Sequence, residues 1–459
     1  MTSLVIVIFV LGYLTITLEH PLKLDKAVPA LLMGTLMWAI LSIGFNYGWF
    51  DIINYKGDVF SLIEGESAQD AYGFKRNLMH HFSEIGEILF FLLGAMTIVE
   101  IIDLHRGFGI IKKVIQPKSK RKLLWIMGIL AFVLSAIIDN LTATIILMTL
   151  LRKIVARKQY RIWYAGLIVI AANAGGAWSP IGDVTTTMLW IGGKVTALGL
   201  SEYVIVPSIL CFIVPFFIAS RMKAFKGKAI RKELIVHEDM ERLLSSKTML
   251  YVGLSAIVFV PIFKGITGLP PYLGMMFSLG VVWLVSEYIQ PVKNLPKRQK
   301  YLYSTHRALS KIEFSSILFF LGILLAVAAL QSMVFGDIEG VQVGTLRYAA
   351  ESISNTIPNM DVVVILLGAL SSLIDNVPMV AATMGMYTFE VDSPIWHFIA
   401  YSAGTGGSLL IIGSAAGVAA MGIEKIDFIW YLKKISWLAL IGFLSGGLVF
   451  IFIEKFLYS

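Results

Sequence analysis

Long apolar runs alternate with short polar breaks along the whole chain. Leu4–Ile16, Ala27–Ile43, Ile88–Val99, Ile205–Ile218, Met249–Ile262, Leu273–Val285, Ile317–Leu330 and Ile435–Ile453 each read as a transmembrane helix or its core. A span needs about 20 mainly apolar residues. The first run has no basic segment before it and no small-residue cleavage site after it, so it reads as a retained helix. The pattern predicts an all-α, multi-pass integral membrane protein.

Two further apolar stretches are broken at their centres. "SAIIDN" (Ser135 to Asn140) and "SSLIDN" (Ser371 to Asn376) place the same Asp–Asn pair in hydrocarbon, 236 residues apart. An ionisable group at that depth costs at least ~2.5 kcal/mol on insertion scales and is a functional candidate by default. Basic clusters flank both ends of residues 123–151, leaving about 16 residues before Asp139–Asn140 and about 9 after Thr142. A re-entrant hairpin turning at the Asp–Asn pair fits both flanks on one side of the membrane. There is no Lys or Arg between Arg347 and Lys425, so residues 361–390 read as a second hairpin, entering from the opposite face.

Other paired stretches repeat with similar spacing. "EIGEILFFL" from Glu84 matches "EFSSILFFL" from Glu313, and "ANAGGAWSPIGD" from Ala172 matches "AGTGGSLLIIGS" from Ala403, at offsets of 229 and 231. Each unit therefore reads as helix, hairpin, then a helix broken at a Gly-Gly loop. Counting spans between the copies gives opposite orientation, the inverted-repeat layout of secondary transporters, whose broken helices meet near the midplane. A single Gly-Gly pair in an apolar helix is more often a packing site. Two at matching positions, each beside an Asp–Asn tip, favour binding loops.

Composition sharpens the class. The chain has 459 residues, 57% hydrophobic and 15% charged, against about 25% charged in soluble domains. The net charge of +8 sits in loops between spans, six basic residues in 112–122, five in 152–161, eight in 221–247 and six in 293–311. That placement argues for cytoplasmic loops rather than a nucleic-acid surface. The lone cysteine, Cys211, lies in an apolar run, so no intrachain disulfide forms.

"LSAIIDNLTAT", "AANAGGAWSPIGDVTT", "LSSLIDNVPMV" and "EILFFLLGAMTIVEIIDLHRGF" resemble the corresponding stretches of NhaD-type sodium/proton antiporters of the ion transporter superfamily. The resemblance runs from about Leu11 to the C-terminus. It implies a scaffold domain plus a transport domain, a homodimer formed through the scaffold, and elevator-like exchange of access in a bacterial inner (plasma) membrane. On that basis residues 1–80 are expected to hold N-terminal scaffold helices and an external loop, and 81–220 the first repeat, with its tip near 139–142 and break near 173–185. A cytoplasmic loop is expected over 221–248 and further scaffold helices over 249–311. The second repeat then covers 312–459, with its tip near 375–378 and break near 404–416. Relatives that carry dicarboxylates have tips resembling Ser–Asn–Thr. Here Asp replaces that Ser at both tips, which weakens an anionic-substrate reading.

The residue types favour a cation. Sodium is a hard ion that takes oxygen ligands. Asp139, Asn140, Thr142, Asn173, Ser179 and Asp183 are offered by the first repeat, and Asp375, Asn376, Thr405, Ser408 and Ser414 by the second. Asp139, Asn140, Asp375 and Asn376 form the expected core of the Na+ site. A carboxylate in a low-dielectric pocket holds a proton until a cation displaces it, so Asp139, Asp183 and Asp375 are the expected proton-coupling groups. The hydroxyl run Thr185, Thr186, Thr187 adds further oxygens, and Pro180 removes a backbone donor from the first loop.

His80, His81, Glu84 and Glu87 stand at helical spacing. They read first as a helix end at the interface, with pH sensing as the alternative role. Glu100 and Asp103 are placed to pair with Arg106 one turn away, and Glu313 reads as a helix-start carboxylate. No nucleotide-binding loop, Cys/His metal cluster or nucleophile elbow is found. The expected partners are lipid and the transported Na+ and H+, with no other cofactor, no nucleic acid and no enzymatic chemistry. Two other readings are a sodium-coupled carboxylate or oxyanion transporter on the same fold, and an intramembrane hydrolase or channel. For the hydrolase, "PIGD" (Pro180 to Asp183) is only a partial echo of a Gly-x-Gly-Asp setting, and the repeat would have no explanation.

Overall fold

The computed structural model describes residues 2–18, 22–49, 51–54, 56–62, 68–110, 119–227, 243–289, 303–338 and 340–457. The basic stretches 112–118, 228–242 and 293–302 and the expected helix end at Glu19–His20–Pro21 lie outside these residues. In chain order the elements are α1 (Thr2–Thr17), α2 (Ala27–Asn46), β1 (Ile52–Ile53), β2 (Val59–Phe60), α3 (Ala68–Leu104), α4 (Lys120–Ile138) and α5 (Asn140–Ile154). There follow α6 (Lys158–Gly176), α7 (Val184–Ile191), α8 (Ala197–Arg221), α9 (Ser246–Thr267), α10 (Pro271–Tyr288) and α11 (Thr305–Leu309). After these come α12 (Phe314–Ser332), β3 (Val334–Ile338), β4 (Val341–Gly344), α13 (Thr345–Thr356), α14 (Met360–Ile374) and α15 (Asn376–Met386). The chain closes with α16 (Pro394–Gly406), α17 (Ala415–Glu424), α18 (Phe428–Lys434) and α19 (Ser436–Leu457). Among the described residues the elements are helical apart from two short antiparallel hairpins, β1–β2 and β3–β4.

Among the described residues, seven helices are long and apolar enough to cross a membrane: α2, most of α3, α4, α8, α9, α12 and α19. Two differ from the sequence expectation. The Ile88–Val99 core belongs to a helix of 37 residues, about 55 Å long. It starts at Ala68, so the expected boundary at residue 80 falls inside it, and the β1–β2 hairpin lies within the stretch expected as an external loop. The first hairpin arm is also longer than expected, with 19 residues. Ser119 extends it by accepting the Lys122 N–H at 3.2 Å, and the chains of Lys120 and Arg121 are held by the Tyr160 ring and the Ser220 carbonyl.

The chain forms two compact units. The smaller comprises Met1–Leu89, Glu313–Leu366 and Val377–Glu390. In it α2 packs along α12, tied by the Trp38 indole N–H to the Leu325 carbonyl at 2.9 Å. Asn77 on α3 donates to Ser332 at 2.9 Å. The larger unit comprises Phe90–Ile312, Leu367–Asn376 and Val391–Ser459, so residues 249–311, expected with the scaffold, group here. In this unit α4 and α5 pack on α6, α17 packs on α5 and α6, α16 packs on α6, α7 and α8, and α8 runs along α19.

One polar pin in the larger unit stands apart from these helices. His105, just past the end of α3, is fully buried. Its ring meets Ser245 at 2.8 Å and Ser286 at 3.0 Å, and its carbonyl accepts from Ser246. Burial pushes its pKa down to about 4. Glu100 and Asp103, expected beside Arg106, each have the Lys311 ammonium at 4.0 Å.

Candidate functional site

Both chain breaks occur at an aspartate in a backbone conformation that L residues rarely adopt. Asp139 has φ 79° and ψ 156°, a region that is essentially glycine-only and costs of order 1–3 kcal/mol. Asp375 also has a positive φ, 76°, so both tips hold an L residue in the half of backbone space that favours glycine. Each carboxylate is engaged locally. Asp139 caps α5, accepting the Thr142 N–H at 2.7 Å and its hydroxyl at 2.8 Å, while Asp375 accepts the Asn376 N–H at 2.8 Å.

The residue after each aspartate reaches inward. The carboxamides of Asn140 and Asn376 both donate to one oxygen, Oδ2 of Asp183, at 3.1 and 3.0 Å. Asn140 also donates to Oδ1 of Asn173 at 3.1 Å, and Asn173 donates to Ser414 Oγ at 2.9 Å. All five side chains belong to residues no more than 3% exposed. Asp183 and Ser414 each stand at a helix start. Asp183 Oδ1 accepts the Thr185 N–H at 3.3 Å and Ser414 Oγ accepts the Gly417 N–H at 3.2 Å, the capping geometry expected of Asp and Ser. Asp139 and Asp375 lie within electrostatic reach of Asp183.

The two halves of this centre are built alike. Ser135 donates to the Ala172 carbonyl at 2.6 Å, and Ser371 donates to the Ala403 carbonyl at 3.2 Å. A Cβ on Gly175 would run into the Phe132 carbonyl oxygen, and one on Gly406 into that of Gly368. The hairpin positions differ by 236 and the broken-helix positions by 231, so the sequence repeat is also a repeat of contacts. The first glycine of each pair is required because the broken helix lies backbone-to-backbone against its hairpin arm there, and the second because its own loop folds back on it, at the Gly182 and Gly413 carbonyls. The repeats diverge where chemistry differs, with Asn173 and Asp183 in the first matched by Gly404 and Ser414 in the second.

Helix ends complete the setting. α5, α7, α15 and α17 begin here and α4, α6, α14 and α16 end here. Unpaired N–H groups and positive dipole ends therefore meet unpaired carbonyls at one level. Thr186 and Thr187 close the 177–183 loop by donating to the carbonyls of Ser179 and Pro180 at 2.7 and 2.8 Å. The buried hydroxyl of Thr185 lies beside the Asp183 carboxylate.

The structure brings Asn140, Asn173, Asp183, Asn376 and Ser414 into one hydrogen-bonded network, with Asp139 and Asp375 within electrostatic reach of Asp183. Thr142 serves the Asp139 cap. Thr405 and Ser408 donate back into their own helix, to Tyr401 and Thr405. Ser179 lines a largely apolar cavity of about 240 Å³ with Trp178, Pro180 and Pro261. His80, His81 and Glu84 form a separate cluster in the smaller unit, with Glu84 3.4 and 3.7 Å from the two rings. Sequence reasoning missed Thr144, one turn beyond Asn140, whose hydroxyl is buried without a partner. It also missed Glu424, whose carboxylate is buried against Arg152 and Arg161. For Thr144 the helical spacing from Asn140 was the available signal. For Glu424, at the end of an apolar segment, there was none.

A family model described as Citrate transporter (CitMHS) matches residues 6–393. Sodium/proton antiporter 1 of Arabidopsis thaliana is 42% identical over 96% of this chain and 70% of its own length. The Na(+)/H(+) antiporter NhaD of Vibrio cholerae is 31% identical over 93% of this chain and 87% of its own. Among solved structures, the YdaH transporter of Alcanivorax borkumensis matches in fold with a TM-score of 0.56 at 12% identity, covering 94% of this chain and 98% of that one.

Proposed function

Because the chain belongs to the citrate transporter (CitMHS) family and is kin to NhaD-type antiporters, we propose that it exchanges sodium for protons across the membrane, with lithium as a second cargo ion. One observation carries this reading. Carboxamides from both hairpin tips converge on the single buried carboxylate of Asp183. A half-turn of either carboxamide would replace an N–H with the C=O that a sodium ion needs. Asp183, Asn140, Asn376, Asn173 and Ser414 would then supply a hard-ion ligand set, joined by freed carbonyls of the broken helices. A cation and a proton compete for the same carboxylate, so movement of only the occupied site couples their fluxes. Asp139 and Asp375 add negative potential that draws the cation in, and they are the remaining candidate proton carriers.

The protein acts as a transporter with no covalent step. The inverted arrangement of the repeats, elevator-like movement of the transport domain, dimerisation through the scaffold and residence in a bacterial plasma membrane with the basic loops cytoplasmic belong to the same proposal. The gathering of the whole polar network in one compact unit supports the division into a moving and a static part. The test is reconstitution in liposomes, with fluorescence dequenching measured on adding Na+, Li+ or K+ across a pH series. Dequenching by Na+ is expected, and its absence at every pH refutes the proposal.

The family model's own description favours a second reading, sodium-coupled carboxylate transport. The network argues against it. Its members are carboxamides, a carboxylate and a hydroxyl, with no Lys or Arg among them to meet an anion. Uptake of labelled citrate driven by a Na+ gradient would reverse that preference.

A further inference from the structure

A second buried carboxylate lies at the far end of three helices that reach the cation site. Glu424 is the last residue of α17, and its side chain is 0% exposed. The Arg161 guanidinium donates to Oε2 at 2.9 Å. Arg152 Nε lies 3.1 Å from Oε1 without hydrogen-bond alignment, so that oxygen is held by charge alone. Arg161 also donates to the carbonyls of Val155 and Ala156, at 3.1 and 2.8 Å, just past the end of α5. A carboxylate at a helix C-terminus opposes the dipole, and a buried one is retained only when paired. Two guanidiniums answer both costs.

The same three helices meet again at the proposed site. Asn140 starts α5, Asn173 lies near the end of α6, and Ser414 caps α17, and these three are linked by hydrogen bonds. From the site to the charged cluster is 12 residues along α5, 12 along α6 and 10 along α17, about 15–18 Å in each case. Hence α5 and α17 run parallel, α6 runs antiparallel to them, and the trio is fastened at both ends. The repeat equivalents of Arg152, Glu424 and Arg161 are Thr388, Gly193 and Asp392, which cannot form such a cluster. The fastening is one-sided.

We propose that Glu424, Arg152 and Arg161 are positioning residues for cation exchange, an ion-pair latch that sets the height of α17 and so holds Ser414 against Asn173. The inference rests on the sodium-site reading above. Reconstituted Glu424→Gln should raise the half-saturating Na+ concentration about five- to ten-fold while the maximal rate per folded protein stays within about two-fold. Glu424→Asp, which keeps the charge at shorter reach, should fall between. A role in folding alone would lower the yield and leave half-saturation unchanged, and that result overturns the proposal, as does a fall in rate alone. If Glu424→Gln yields no monodisperse protein, Arg152→Gln at the half-exposed partner decides. A two- to three-fold rise (about what a partial loss of coupling gives) supports the latch, and no change refutes it. Asp183→Asn separates the two readings. Exchange that survives it sinks the site itself, whereas exchange abolished there but unmoved by Glu424→Gln sinks only the latch.

Discussion

Replacing Asp183 with Asn removes one charge and nearly nothing else. The carboxylate accepts from Asn140, Asn376 and the Thr185 N–H. Asparagine keeps one oxygen for the two carboxamides, so each bond falls from charge-assisted to neutral, a loss of about 1 kcal/mol apiece. Its NH2 then faces the Thr185 N–H, and the lost helix cap costs about 1 kcal/mol more. Against that loss of about 3 kcal/mol stands the relief of a buried carboxylate's desolvation, itself several kcal/mol. Stability should therefore change little, with Tm moving by no more than a few degrees for a chain of this size. Transport should not survive. Loss of the network's only formal charge, at about 3 kcal/mol of cation binding, raises half-saturation by more than about 100-fold, and the carboxylate for which cation and proton compete is gone. The assay pairs thermal melting in detergent with Na+-induced dequenching in liposomes. Exchange by Asp183→Asn at the parent's half-saturating Na+ concentration would refute the assignment. Asp183→Glu, which keeps the charge, should retain measurable exchange.

Asp139→Asn should fold, because Asn has the size of the Asp that already holds this backbone and still caps Thr142, yet it should exchange Na+ more weakly. Full exchange would show that Asp139 is a cap and nothing more. Gly175→Ala and Gly406→Ala should each destabilise the protein by about 1–3 kcal/mol through backbone collision, read as lower Tm, whereas Gly86→Ala, whose Cβ would meet nothing, should not. Acid should loosen the His105 pin. Its folded pKa of about 4 lies below the unfolded value of about 6.5, so the unfolded chain binds more protons between those values. Stability is then complete above pH 6.5 and falls by about 1 kcal/mol for each unit down to pH 4. His105→Asn should flatten that slope, and an unchanged melting profile between pH 7 and pH 5 in the parent protein would count against the buried neutral ring.

Hydrophobic periodicity and the repeated Asp–Asn and Gly-Gly pairs were enough to predict the helical membrane class, chain breaks at the Asp–Asn pairs, and helix breaks near 173–185 and 404–416, within which the structure has its loops at 177–183 and 407–414. Such features are legible because hydrocarbon penalises every unpaired polar group, so each one left in an apolar run carries information about the fold. What no sequence pattern contained was the division of labour around the breaks. Asp139 and Asp375 turn toward their own helices and leave their asparagines to reach the centre, a choice made by backbone angles that only the close helix–hairpin contact enforces. The primacy of Asp183 arises because Asn140 and Asn376, 236 positions apart, arrive at one oxygen. Glu424 met Arg152 and Arg161 for the same reason. Chain separation says nothing about which polar ends the packing of three helices will bring to a common level, and that packing alone decided it.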